Sequence, residues 1–277
     1  NHAAQTAGDD SIDGGAGNDT IYGDDSTSFV YNTASGQLFT YDAETGGSTE
    51  LTSGLLTHGD IATTPDGTLY GVVLDALDGA TNAAIYEIDP VTGSETLVYD
   101  LPDNVGWNAG LASDPNGNLY IADSDLDTIT RIEPDGFGGF TNPTVVLNYS
   151  NDLTDIAFLS SGTAWVVYDN NTIEAYDVDA SGNFTNPASL GSIPGGGNPS
   201  GLILAENGLV YAANVTGDVF STDPASLPLT WTSETGTGNT IYGVASVPGS
   251  LMSSGDDTID GGTGDDVIAA GQGSDTI

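Results

Sequence analysis

Apolar residues fall in short bursts closed by turn formers, and no segment holds a helical period. Between about residues 26 and 250 the bursts recur as a unit. Asp60-Ile61-Ala62-Thr63-Thr64-Pro65-Asp66-Gly67-Thr68-Leu69-Tyr70 returns as Gly110-Leu111-Ala112-Ser113-Asp114-Pro115-Asn116-Gly117-Asn118-Leu119-Tyr120. Weaker copies run from Asp155-Ile156-Ala157 to Trp165 and from Gly201-Leu202-Ile203 to Tyr211, and a fifth start lies at Gly243-Val244-Ala245. The marker residues Ile61, Leu111, Ile156, Leu202 and Val244 stand 50, 45, 46 and 42 residues apart. Each unit reads as an apolar run, an Asp-Gly or Asn-Gly hairpin, a second run, a third such as Ile85-Tyr86-Glu87-Ile88, and a fourth such as Glu95 to Tyr99.

Four strands at that interval describe a β-propeller blade. Phe140-Thr141-Asn142-Pro143 and Phe184-Thr185-Asn186-Pro187 echo each other and support the repeat. The first and last units are incomplete in a complementary way. Phe29 to Tyr31, Gln37 to Tyr41 and Thr49 to Thr52 offer three strands, and Val244 to Val247 offers the innermost one. Closing the ring with strands from both ends removes exposed sheet edges and gives about five blades, with six left open.

The ends follow a different and shorter period. Gly14-Gly15-Ala16-Gly17-Asn18-Asp19-Thr20-Ile21-Tyr22 fits G-G-x-G-x-D-x-U-x, and Gly8-Asp9-Asp10-Ser11-Ile12-Asp13 precedes it as a degenerate copy. The far end continues with Gly255-Asp256-Asp257-Thr258-Ile259-Asp260, then Gly261-Gly262-Thr263-Gly264-Asp265-Asp266-Val267-Ile268-Ala269, then Gly271-Gln272-Gly273-Ser274-Asp275-Thr276-Ile277. Glycine permits positive φ, so six residues make a tight turn and the next three a short strand whose isoleucine stacks inward. Calcium takes six to eight oxygen ligands, and aspartate carboxylates with turn carbonyls supply them. Candidate ligands are Asp10, Asp19, Asp257, Asp266 and Asp275, with Asp9, Asn18, Asp24, Asp256, Asp265 and the turn glycines Gly8, Gly15, Gly17, Gly262, Gly264 and Gly273.

These end segments resemble the RTX, or repeats-in-toxin, family. The resemblance implies a parallel β-roll, calcium-triggered folding, and secretion from a Gram-negative bacterium. Successive turns of such a roll alternate sides, so a metal joins turns two repeats apart. If the propeller is inserted in one turn of a single roll, the turns stack in the order Asp10, Asp19, Asp257, Asp266, Asp275. Calcium is then expected between turns one and three, two and four, and three and five. The fold expected is all-β, an about five-bladed propeller inserted into an RTX parallel β-roll. Residues 1–24 and 251–277 form the roll and 25–250 the propeller.

Composition sharpens this reading. One Lys or Arg against 40 Asp and Glu gives a formal charge of -39, which argues against nucleic acid and against anionic membrane surfaces, and calls for bound cations. With 38% hydrophobic residues the chain still builds a core, and with no cysteine it has no disulfide to brace it. Bound Ca2+ is the expected substitute. No apolar run is long enough to insert in a membrane.

The segment Asp114 to Asp123, Asp-Pro-Asn-Gly-Asn-Leu-Tyr-Ile-Ala-Asp, resembles propellers of the NHL and gluconolactonase-like class. Enzymes of that class hold a metal at the channel mouth with carboxylate and amide side chains. The corresponding candidate ligand face here is His58, Asp60, Trp107, Asn108, Asp152, Asp155, Asn198 and Tyr242. Acidic and amide residues are common throughout the chain, however, and two histidines and one arginine, Arg131, leave most His-dependent and oxyanion-stabilising schemes without parts. His58 is expected as a channel residue, Arg131 as an ion-pair partner on a solvated third strand, Trp165 as blade packing, and Asp66, Asn116 and Asn207 as turn formers. No catalytic residue is assigned. The preferred function is a secreted, calcium-binding structural or adhesive module, associated with the cell surface, whose propeller meets a glycan, a surface ligand, other RTX segments or copies of itself. The rival is a calcium-assisted hydrolase of lactones or glycans.

Overall fold

The computed structural model describes residues 2–3, 11–13, 15–17, 20–22, 27–43, 45–73, 83–101, 109–124, 126–149, 152–159, 162–195, 197–205, 207–248, 258–264, 267–269 and 276–277. Five four-stranded antiparallel sheets form the blades of a propeller. Blade two contains His58–Thr63, Leu69–Val73, Ala84–Ile88 and Glu95–Asp100. Blade three contains Ala109–Ser113, Leu119–Asp123, Thr128–Pro134 and Phe140–Asn148. Blade four follows with Leu153–Phe158, Thr163–Tyr168, Thr172–Val178 and Phe184–Ser192, and blade five with Pro199–Leu204, Val210–Asn214, Val219–Thr222 and Thr232–Ser233.

Blade one closes the ring with strands from both sides of the sequence. Thr27–Asn32, Gln37–Asp42 and Gly47–Ser53 take Gly243–Ala245 as their innermost strand, in the register Gly243↔Asn32 and Ala245↔Val30. The expected closure is thus observed, and the count is five. Because Gly243–Ala245 runs antiparallel to Thr27–Asn32, the chain arrives at blade one and leaves it at the same end of the sheet.

Turn chemistry explains the hairpins. Asp66 Oδ1 accepts the Thr64 hydroxyl and the Thr68 N–H, and Asn207 Oδ1 accepts the Leu209 N–H. In blade three the turn around Asn116 is held by Asp114 Oδ1, which accepts the N–H groups of Asn116 and Asn118. The Phe-Thr-Asn-Pro echo marks a bulge: Asn142 and Asn186 have φ of 55° and 53° beside register shifts in the outer strands. Each interface between neighbouring blades holds one apolar cluster, such as Tyr70, Leu111, Leu119, Ile121 and Phe140 between blades two and three. Trp165 is buried, as expected.

The flanks pair with each other in parallel. One sheet joins His2–Ala3, Thr20–Tyr22 and Val267–Ala269, with Ala3↔Ile21 and Ile21↔Ile268. The other joins Ser11–Asp13 to Thr258–Asp260, with Ile12↔Ile259, and Thr258 is bridged in parallel to Thr276. Backbone pairing therefore links turn one to three, two to four, and three to five. His2–Ala3 was not anticipated; it carries no glycine motif and betrays itself only by standing two repeats before Thr20-Ile21.

Candidate functional sites

The roll shows its turn geometry in one stacked pair of turns. Gly15 and Gly17 have φ of 82° and 130°, and Gly262 and Gly264 have φ of 82° and 153°. The N–H of Thr263 donates to the Gly15 carbonyl and the N–H of Gly17 to the Thr263 carbonyl. Asp13 Oδ1 and Asp260 Oδ1 accept the N–H of Gly15 and of Gly262, bracing the two turns alike. A Cβ on Gly262 would lie 1.9 Å from the Gly15 oxygen, so only glycine stacks there. An all-oxygen donor set on so tight a coil fits a hard divalent ion. Among the proposed ligands, Gly8, Asp9, Asp10, Asn18, Asp19, Asp24, Asp256, Asp257, Asp265, Asp266, Gly273 and Asp275 lie outside the described residues, as do Trp107 and Asn108 of the channel.

The channel end where the innermost strands begin gathers buried polar groups. Asp60 and Asp155 are each only 1% exposed. Asp60 Oδ1 accepts its neighbour's N–H, from Ile61 at 2.7 Å, and its Oδ2 accepts the Leu111 N–H of blade three at 2.6 Å. Asp155 repeats the arrangement, with Ile156 at 2.6 Å and Leu202 of blade five at 2.5 Å. The two carboxyl groups also hydrogen-bond each other. Burial first, then the charge of Asp155, raises the pKa of Asp60 well above the ordinary carboxylate range, and burial raises Asp155. Both groups are thereby shifted toward their protonated forms.

Glycines make this arrangement possible. A Cβ on Gly243 would lie 1.9 Å from Asp60 Oδ1, and one on Gly110 would lie 2.8 Å from the Asp155 Cα. The innermost strands therefore carry Asp or Gly at one equivalent position, and each aspartate ties its own blade to the next.

The other described residues of the expected ligand face differ in burial. His58 is buried, with Nε2 2.6 Å from Glu95 Oε1, while Glu95 Oε2 accepts the Leu56 N–H. Its Nδ1 has no partner and sits against Gly71. Asp152 and Asn198 are exposed, and their carbonyls accept the N–H of Asp169 and of Val215. Tyr242 is half-buried, its N–H donating to the Asn32 carbonyl. No cluster of three or more His, Cys, Asp or Glu able to hold a metal occurs among the described residues. Arg131 does lie on a third strand and pairs with Glu133 at 2.6 Å, but its side chain is only 14% exposed rather than solvated. Its Nη1 crosses to blade four and donates to the Ser181 carbonyl.

Comparison with known proteins agrees with this geometry. The model of the RTX calcium-binding nonapeptide repeat matches residues 6–28 and 253–277, so both ends carry RTX repeats, which bind calcium. No curated protein matches the chain in sequence. Among solved structures it is similar to a gluconolactonase from Xanthomonas campestris, at a TM-score of 0.52 and 16% identity over 76% of this chain and 72% of that one. A catalytically inactive virginiamycin B lyase from Staphylococcus aureus aligns at a TM-score of 0.46 and 16% identity, over 80% and 75%. The first likeness shows the propeller fold.

Proposed function

We propose that the chain is a structural or adhesive module of a secreted protein, in which calcium sets the roll and the roll carries the propeller outward for contact with a ligand or a neighbouring copy. The observation that supports this most is the interleaved register: Ile12↔Ile259 and Ile21↔Ile268 join turns lying on opposite sides of the propeller in sequence. In this reading Asp10 with Asp257, Asp19 with Asp266, and Asp257 with Asp275 hold the ions, and calcium supplies charge neutralisation between coils. RTX repeats are typical of secreted proteins, and no helix among the described residues is long and apolar enough to cross a membrane.

The hydrolase reading draws on the fold it shares with a lactonase, which speaks to architecture alone. Against it stands the commitment of Asp60 and Asp155: their oxygens are used by backbone N–H groups and by each other, away from solvent. Calcium titration followed by circular dichroism, on the native chain and on Asp19→Asn with Asp266→Asn, tests the first reading. A cooperative transition is expected that shifts to at least tenfold higher calcium in the variant. An unchanged midpoint overturns the ligand assignment. Calcium-dependent capture of the chain on glycan arrays or cell surfaces supports the adhesive role, whereas lactone or glycan turnover abolished by Asp152→Asn supports the hydrolase instead.

A further inference from the structure

The interfaces between blades two and three and between blades three and four are built on one plan and finished differently. The loops Asp135 to Gly139 and Asp179 to Asn183 have matching hydrogen bonds. Asp135 Oδ1 accepts the N–H of Phe137 and of Gly139, and Asp179 Oδ1 accepts those of Ser181 and Asn183. Each loop closes with a backbone bond, Asp135 N–H to the Gly139 carbonyl and Asp179 N–H to the Asn183 carbonyl. On the preceding blade, Tyr120 pairs with Arg131 and Tyr70 pairs with Glu87 at the same register position.

Between blades three and four the space is filled. Arg131 reaches the Ser181 carbonyl, and a Cβ on Gly182 would meet the Tyr120 hydroxyl at 2.6 Å and Arg131 at 2.7 Å. Between blades two and three it is open. A Cβ on the corresponding Gly138 meets nothing within 4 Å, and a cavity of about 350 Å³ opens among Tyr70, Phe140, Asp66 and three prolines. Tyr70 and Phe140 meet edge to face at 5.3 Å. At the loop tip Phe137, where its counterpart is Ser181, is 95% exposed although its own N–H is fixed by Asp135. An aromatic ring held out on an ordered loop beside an open cavity is a contact waiting for a partner.

We propose that this crevice receives an arginine side chain from a basic segment of another protein, in the manner in which the molecule itself fills the sister crevice with Arg131. Asp66 lines the crevice and Glu87 stands opposite Tyr70 in register, giving negative charge; Phe137 holds the loop position of Ser181, whose carbonyl accepts Arg131; and the Tyr70 and Phe140 rings line the cavity for a guanidinium to meet. Phe137 covers the aliphatic stem. A second copy of this chain is not the donor, because its single Arg or Lys is Arg131, already engaged. The site goes beyond the module function proposed above and does not depend on it.

The test titrates acetyl-Gly-Arg-Gly-amide into the calcium-saturated chain near physiological salt, reading amide shifts by NMR. Expected are saturable shifts confined to residues 135–139 and the strand of Tyr70, with an affinity near millimolar for one side chain, and binding at least tenfold weaker for the citrulline peptide. Glu87→Arg should close the crevice from within and abolish binding while the melting temperature holds or rises. Phe137→Ser should weaken binding severalfold with folding intact, so the prediction survives a misfolded Glu87→Arg. Shifts that never saturate and spread over the acidic surface, equal binding of the citrulline peptide, or a folded Phe137→Ser that binds like the native chain would each overturn the proposal.

Discussion

The propeller and the roll are stabilised by opposite means. Every blade interface of the propeller holds buried aromatic and aliphatic side chains, each removed from water at a gain of about 1.5–3 kcal/mol. In the roll, of the residues whose side chains are described, only Ile259 is buried; Ser11, Asp13, Thr258, Asp260 and Ile277 are all exposed. The described roll side chains bury little, so the same polypeptide holds one part that folds on its apolar surface and another for which bound calcium is the expected brace. The negative charge has opposite meanings in the two: in the roll it gathers calcium, and in the propeller burial pushes two carboxyls toward their protonated forms.

Chelation should break the comparison open most widely. With EGTA, the amides of Ile12, Ile21, Ile259 and Ile268 are expected to lose hydrogen-exchange protection while the propeller amides Leu111 and Leu202 keep theirs. Loss of both together would show one cooperative unit and end the distinction. Next in size is Asp155→Ala, which strands the N–H groups of Ile156 and Leu202 in the interior. At about 1–3 kcal/mol each, the melting temperature of the propeller should fall by roughly 10 °C with the calcium midpoint unmoved.

A matched pair of small insults sharpens the contrast. Gly243→Ala drives a methyl into Asp60 and should lower the propeller's stability by about 1–3 kcal/mol without touching the calcium midpoint. Gly262→Ala collides with the Gly15 carbonyl and should raise the midpoint severalfold without touching the propeller. Crossed effects in thermal and calcium titrations would mean the two regions are coupled.

The smallest effect expected is one of pH. Burial raises Asp155 from its ordinary 3.8 to about 7, so its folded pKa lies above its unfolded one. The contribution of the pair is complete below the unfolded value and lost as pH rises through the folded one. At high salt and saturating calcium the propeller should melt a few degrees lower at pH 8.5 than at pH 5, and Asp60→Asn should flatten that slope. A native slope of zero would mean that the pair takes up no proton on folding.

Period and turn chemistry made the architecture legible. The Asp-Gly and Asn-Gly hairpins repeat at blade length, and the complementary deficits of the first and last units foretold the closing strand. The nonapeptide step likewise gave the stacking order, because an isoleucine every ninth residue can alternate only between two faces. What remained hidden is where side chains go once blades are neighbours. Asp60 and Asp155 read as ligands because acidic residues near a channel mouth usually are candidates. One oxygen of each accepts an N–H about 50 residues onward, a pairing that local sequence does not encode. The alternation of Asp and Gly at one strand position was the available sign. Glu95 as the partner of His58, and the covered path of Arg131 to Ser181, are non-local in the same way.

The arrival and departure of the chain at one end of blade one have a mechanical meaning. Tension drawn through the polypeptide at that point would peel Ala245 from Val30, then Val244 from Tyr31, one rung at a time, the weakest direction in which to load a sheet. The parallel ladder between Ser11–Asp13 and Thr258–Asp260 bridges the same two strands of chain upstream of the blade and shunts that load away from it. Metal in the coil, where the repeats bind it as proposed above, would then be a safety catch on the ring: with the ladder locked, pulling on the stem would leave the propeller slack.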